Sequence, residues 1–272
     1  MSDMKKIIDV KQVITDKNPK LLKRLPGFVV RYLQRILHEE DVNQFVHDHQ
    51  NDTPVEFCLA VMDKFSVNLD FEGLENIPED GGAVLVMNHP LGGLDAMALV
   101  TILHKKRPDV KFVVNDVLLH LENLRPIFVG IDKHRNNVSD SLRRVDETFA
   151  GNELLCVFPA GLVSRKIKGN IQDLKWKKTF VTRSIRYNKK IVPIYIEGKL
   201  TNFFYNLYIL RTKLGIKANI EMLYLVNELY KQNNQNVKIK FGAPLDASEF
   251  DDSKSHDEWA QFVKSKVYAL KD

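Results

Sequence analysis

The sequence predicts an α/β fold: a mixed, largely parallel sheet flanked by helices, behind a helical N-terminal region. Three observations predict it. Short apolar runs bounded by turn residues recur from residue 67 onward and read as strands. Helix-period stretches separate several of them, the alternation that lays parallel strands side by side. Residues 1–66 show amphipathic helical spacing instead.

In chain order, Lys5–Asp16 alternates charged and apolar residues and reads as a short helix. Over Pro19–Leu37, Leu25, Val29, Tyr32, Leu33 and Ile36 share one helical face, while Arg31, Gln34 and Arg35 lie on another and Lys20, Lys23 and Arg24 add charge before it. Such a basic amphipathic helix with an aromatic residue suits a membrane interface. It equally suits docking on the rest of the protein, with the arginines snorkelling to water. Val42–Phe65 continues as helix, interrupted at Asn51–Pro54.

Val67–Gly73 reads as the first strand, and Pro78 with Gly81-Gly82 makes the turn after it. Further strands are expected at Val84–Met87, Val110–Val114, Ile127–Ile131, Leu154–Phe158, Ile191–Ile196 and Val237–Phe241. Helices are expected between them at Ala96–His104, Val138–Gly151 and Lys175–Tyr187. Thr201–Leu214 gathers Phe203, Phe204, Tyr205 and Tyr208 and fits either a core helix or a membrane-facing, acyl-chain-lining one. Ile220–Tyr230 is a second apolar helix with the same two readings, and a surface helix closes the chain from about Asp257. The expected organisation is a helical region at 1–66, membrane-associating or docked, and an α/β domain at 67–272.

An apolar fraction of 44% and a charged fraction of 28% are ordinary for a globular chain of 272 residues. The net charge of +5 suits an anionic membrane surface or acidic ligands. No nucleic-acid-binding motif accompanies it, so nucleic acid is not an expected partner. Cys58 and Cys156 form no CxxC, disulfide framework or metal-ligand spacing, and no metal is expected. Met1–Gln12 is charged and lacks the apolar core of a signal peptide. No window reaches the roughly 18 uninterrupted apolar residues of a spanning helix.

The chemistry concentrates at Val84–Asp95, VLVMNHPLGGLD. An apolar strand stops at Asn88-His89, and a turn containing Gly92 and Gly93 leads to Asp95 at a helix start. This sets an imidazole and a carboxylate on one loop at the C-terminal end of a strand, where open α/β sheets usually bind ligands. Asp95 would accept from one nitrogen of His89, leaving the other to take a proton from a substrate hydroxyl. Cap and turn roles for the two residues are the commoner alternative for that spacing alone. Three further motifs end strands: IFVGIDKHR at 127–135, FPAGLVSRK at 158–166 and IVPI at 191–194. Basic residues clustered with a histidine at one sheet edge point to an anion-binding site.

The order NHPLGGLD, GIDKHR, FPAGLVSRK, IVPI resembles the four motifs of the glycerolipid acyltransferase superfamily, over roughly Val67–Ala243. It looks closest to the hemolysin-type, or ornithine/glycine-lipid O-acyltransferase, branch. The resemblance implies a glycerolipid acyltransferase-like fold and transfer of a fatty acyl group from an acyl carrier protein or coenzyme A thioester to a lipid hydroxyl. In that branch the acceptor is the 3-hydroxyl on the fatty chain of an N-acyl amino acid. It implies no bound cofactor and a peripheral position on the cytoplasmic side of the inner membrane.

By this resemblance His89 is the general base and Asp95 its charge partner, while Lys133 or Arg135 falls where the superfamily grips phosphate with arginine. Asn88, Gly92, Gly93, Phe158, Pro159, Gly161, Ser164, Arg165, Lys166 and Pro193 fall on the substrate-binding motifs. Three departures bear on the acceptor. Five residues, not four, separate His89 from Asp95; Lys133 stands in the arginine register; and Ala160 replaces the usual glutamate. Lysine cannot copy arginine's bidentate grip on phosphate. The changes leave room for an acceptor that carries a carboxylate, with lysophosphatidate acylation or lipid binding without turnover as the rival readings.

Overall fold

The computed structural model describes residues 6–17, 24–115, 118–119, 121–131 and 138–271. The chain divides into two compact units. The larger comprises Thr53–Leu200 and Asn233–Asp272, and the smaller Met1–Asp52 and Thr201–Gln232.

The larger unit is built on a sheet. Its strands are β1 (Asn68–Glu72), β2 (Ala83–Met87), β3 (Val110–Asn115), β4 (Phe128–Ile131), β5 (Leu154–Val157), β8 (Lys190–Ile196) and β9 (Asn236–Phe241). Between them in sequence, β6 (Arg165–Ile167) and β7 (Asn170–Gln172) form a separate antiparallel hairpin. Among the described residues the sheet order is β1-β9-β8-β2-β5-β3-β4. Strands β8, β2, β5, β3 and β4 run parallel, and β9 pairs antiparallel to β8 and parallel to β1. The sheet is therefore mixed and largely parallel, as expected.

Strand β2, AVLVM, is buried along its whole length. A strand covered on both faces carries an uninterrupted apolar run, which is why this one was legible. One face packs Val84, Val86, Leu155 and Ile191 against Trp176, Phe180, Val263 and Val267. The last four come from the segment leading into the helix Thr179–Arg186, from that helix, and from the C-terminal helix His256–Ala269. The helix Pro54–Lys64 starts at a capping box, with Thr53 Oγ1 accepting from Glu56 N–H and Glu56 returning the bond to Thr53 N–H. This helix packs on the one that follows β2, Gly93–Leu103, within the sheet-bearing unit.

The smaller unit is helical: Val10–Lys17, Gly27–Ile36, Glu39–Asp48, Asn202–Lys213 and Leu225–Tyr230. The segment from Thr201 onward thus groups with the N-terminal helices. Buried polar side chains tie the unit together. Glu39 accepts from Val10 N–H at 3.1 Å and from Lys6 Nζ at 3.2 Å. Arg211 makes a buried two-pronged pair with Glu221, and Glu228 accepts from both N–H and Oγ1 of Thr201. In helix Gly27–Ile36, Val30 and Ile36 are buried while Phe28 and Tyr32 are exposed. Tyr32 Oη meets Tyr224 Oη at 2.9 Å, and Phe203 packs edge-on against Tyr224, so these aromatics form a connected group. No described helix is long and apolar enough to cross a membrane.

Candidate active site

The loop after β2 is held in place before it reaches His89. Asn88 is buried; its Nδ2 donates to Ile196 O at 2.8 Å and its Oδ1 accepts from Ile196 N–H at 2.7 Å. Both ends of this amide are thus used in joining the loop to the end of β8. Pro193, buried within β8, stands in register with Val86 of β2 and belongs to the sheet beneath the loop.

Gly92 turns the chain into the next helix with φ 73° and ψ −134°, a conformation that glycine alone adopts readily. Gly93 opens the helix and is exposed, and Asp95 lies in its first turn. The Asp95 carboxylate folds back over the loop. Its Oδ2 accepts from Leu91 N–H at 3.0 Å and lies 2.9 Å from His89 Nδ1. Asp95 is thus not the helix cap, a place Gly92 takes, but the imidazole's partner, and the five intervening residues do not prevent it. Asp95 is fully buried, and Oδ1 has no partner among the described residues. Burial raises its pKa above the ordinary carboxylate value; hydrogen bonding and charge from His89 pull it back, and the nearby Asp173 carboxylate pushes it up further. The His89 side chain retains 18% of its exposure, and no described residue bonds its Nε2.

Strand β5 lies beside β2 in parallel, so its FPAG turn reaches the same sheet edge. The Phe158 ring stacks on His89 with centroids 4.1 Å apart. Gly161 has φ 68° and donates its N–H to Phe158 O, closing the turn, while Pro159 O accepts from Lys177 N–H. Ser164 N–H donates to His89 O at 2.7 Å, which binds the two loops together. Lys166 is half-buried in the β6–β7 hairpin. Arg165, expected among the anion-binding side chains, is fully buried, and its Nη1 donates to Val163 O and Ser164 O. Its charge is engaged inside the loop and is not presented to solvent. Lys133 and Arg135 lie outside the described residues.

Sequence reading passed over Asp173. This buried carboxylate accepts from His89 N–H, Ser164 Oγ and Trp176 Nε1. Its only mark in the sequence is an acid set among Lys166, Lys168, Lys175, Lys177 and Lys178. A cleft of about 620 Å³, lined by residues that include Gly81, Gly82, Asn152 and Lys189, lies at the opposite edge, where the parallel strands begin. Among the described residues no group of three or more His, Cys, Asp or Glu side chains could hold a metal.

The arrangement is a histidine oriented by a buried acid, with one ring nitrogen available to a bound hydroxyl. The family model described as "Acyltransferase" matches residues 12–272. Lyso-glycine lipid O-acyltransferase of Phocaeicola vulgatus is 42% identical over 97% of this chain and 95% of that one. The protein of the same description from Bacteroides thetaiotaomicron is 39% identical over 97% of each. Among solved structures, the 1-acyl-sn-glycerophosphate (LPA) acyltransferase PlsC of Thermotoga maritima aligns with a TM-score of 0.53 at 17% identity. That alignment covers 90% of this chain and 89% of that chain, a likeness of fold.

Proposed function

This chain belongs to the acyltransferase family, and we propose that it esterifies the hydroxyl of a lyso-lipid built on an N-acyl amino acid, with His89 as general base. The observation that carries this is the 2.9 Å contact between His89 Nδ1 and the buried Asp95 carboxylate, with Nε2 left to the substrate. The names of the two relatives, both lyso-glycine lipid O-acyltransferases, support a glycine head group on the acceptor. Ala160, where the superfamily pattern has glutamate, fits an acceptor that carries its own carboxylate.

The donor is an acyl thioester of acyl carrier protein or coenzyme A. The acceptor oxygen gives its proton to Nε2 as it attacks the thioester carbonyl carbon. The tetrahedral intermediate expels the thiolate, and the imidazolium returns the proton to it, leaving ester and thiol. General-base help of this kind contributes about 10²–10⁴-fold. In this reading the main-chain N–H groups at the start of the helix Gly93–Leu103, which lack intrahelical acceptors, serve the developing oxyanion. Lys166, with Lys133 and Arg135, supplies positive charge for the acceptor carboxylate or the donor's phosphates. The exposed Phe28, Tyr32, Phe203, Leu210 and Leu214 of the smaller unit, with the exposed Arg31 and Arg35, suit a peripheral seat on an anionic leaflet, on the cytoplasmic side of the inner membrane.

The test feeds purified full-length protein an acyl thioester with either an N-(3-hydroxyacyl)glycine or lysophosphatidate, beside a His89→Ala control. Label should enter the N-acyl glycine and require His89. Transfer to lysophosphatidate alone would replace the acceptor, and undiminished transfer by His89→Ala would reject the base.

A further inference from the structure

Asp173 has the marks of a working residue that the proposed chemistry leaves unused. It is 1% exposed and, among the described residues, forms no ion pair. Such a charge is tolerated in a core only when donors surround it. Here Oδ1 accepts from His89 N–H at 3.2 Å and from Ser164 Oγ at 2.6 Å, and Oδ2 accepts from Trp176 Nε1 at 2.8 Å. Its main chain is held as well: Asp173 N–H donates to Tyr268 Oη at 2.7 Å, and Lys264 Nζ donates to Asp173 O at 2.6 Å.

Two of these bonds complete a ring of contacts. Ser164 N–H donates to His89 O, so one residue binds the His89 carbonyl while its hydroxyl binds the acid that binds the His89 N–H. Both main-chain polar groups of His89 are therefore fixed by the segment 164–173, and neither by the strand that leads to it. The C-terminal helix anchors that segment from behind through Tyr268 and Lys264. Asp95 orients the ring and takes Leu91 N–H two residues on, but bonds neither main-chain group of His89 itself.

We propose that Asp173 is a positioning residue: its carboxylate sets the backbone of His89, from which the ring projects. This rests on the reading of His89 as general base. A displacement of about 1 Å at a reacting group can lower a rate by about a hundredfold. The groups facing this acid are His89, Ser164, Trp176, Tyr268 and Lys264, with Asp95 as its acidic neighbour.

The experiment compares Asp173→Asn, Ser164→Ala and His89→Ala with the wild-type full chain, using the thioester and N-(3-hydroxyacyl)glycine. It measures kcat and KM separately on material whose folded fraction is fixed by circular dichroism. Asp173→Asn should lower kcat about 10- to 100-fold with KM within about twofold. Ser164→Ala removes one strut and should lower kcat about 3- to 10-fold, again with KM within about twofold. Wild-type kcat in folded Asp173→Asn overturns the proposal, as does a loss that only tracks the unfolded fraction. Should Asp173→Asn not fold, wild-type kcat in Ser164→Ala overturns it. An active His89→Ala would instead reject the function on which the inference rests; an inactive one beside an unaffected Asp173→Asn rejects the inference alone.

Discussion

Replacing Asp95 by asparagine probes the central pair with the least change of shape. In the native site Oδ2 serves both His89 Nδ1 and Leu91 N–H. The amide oxygen of asparagine can keep both contacts, so what is lost is charge. A hydrogen bond to a charged group contributes about 1.5–3 kcal/mol. At about 1.36 kcal/mol per decade of rate, its loss in the transition state lowers kcat about 10- to 150-fold, with KM little changed. The new amide nitrogen takes the place of Oδ1, which has no partner, and leaving a donor unsatisfied there costs about 1–3 kcal/mol. Relief from burying a carboxylate offsets that cost. The pH dependence follows from the direction of the Asp95 shift, raised chiefly by burial. An acid whose folded pKa is raised contributes stability below its unfolded value and loses it as pH rises through the folded one. Wild type should therefore lose ground to Asp95→Asn in thermal unfolding as pH climbs from the ordinary carboxylate range. The assay is initial rate at saturating substrate across pH, beside melting curves of both proteins. An Asp95→Asn enzyme with wild-type kcat, or one whose rate falls only through KM, refutes the claim that the carboxylate acts through the imidazole.

Two other expectations concern the scaffold. Cys58 and Cys156 are free and buried, and burial pushes the Cys58 thiol up to about 12 and that of Cys156 up as well. A thiol reagent should label neither in the native protein and both after denaturation; rapid native labelling with loss of activity would contradict this. Gly92→Ala must hold a side chain at φ 73°, at a cost of about 1–3 kcal/mol, or about 2–12 °C in Tm, and kcat should fall with it because the turn sets the helix that carries Asp95. Unchanged melting temperature and kcat would show that the turn relaxes freely.

The strands were legible because burial on both faces writes itself into consecutive residues, as in AVLVM of β2 or KIVPIYI of β8. Direction was not: nothing local in NVKIKF shows that β9 runs against β8, an outcome set by the pairing of Ile194 with Phe241 across the sheet. The closeness of His89 and Asp95 was readable from six positions of separation with two glycines between. Arg165 was not readable as buried, since the main-chain carbonyls of Val163 and Ser164 that it serves leave no mark and the sequence shows only a cation between Ser164 and Lys166. The grouping of Thr201–Gln232 with the N-terminal helices was hidden because the contacts that make it, Tyr32 with Tyr224, His38 with Asn227 and Asp41 with Tyr230, join residues far apart in sequence. Arg211, Glu221 and Glu228 look like surface charges until their partners are known. Asp173 was invisible because its role lies in contacts with residues far from it in sequence, His89 above all.

The fate of the hydroxyls and thiols near His89 bears on the kind of chemistry the site performs. A covalent route needs a protein nucleophile hydrogen-bonded to the base. Ser164 is close, yet its hydroxyl donates to Asp173 and it meets His89 only through the main chain. The two cysteines are buried within the helix Pro54–Lys64 and within β5, with thiols that resist ionisation. Among the described residues, then, no protein nucleophile is paired with Nε2 of His89. The ring itself is restrained at Nδ1 by Asp95, on its face by Phe158, and at both main-chain groups by Ser164 and Asp173. So many restraints on a ring with no protein nucleophile beside it fit the proposed reaction, in which the attacking hydroxyl arrives on the substrate. Orientation then has to come wholly from the protein, because a diffusing alcohol brings none of its own.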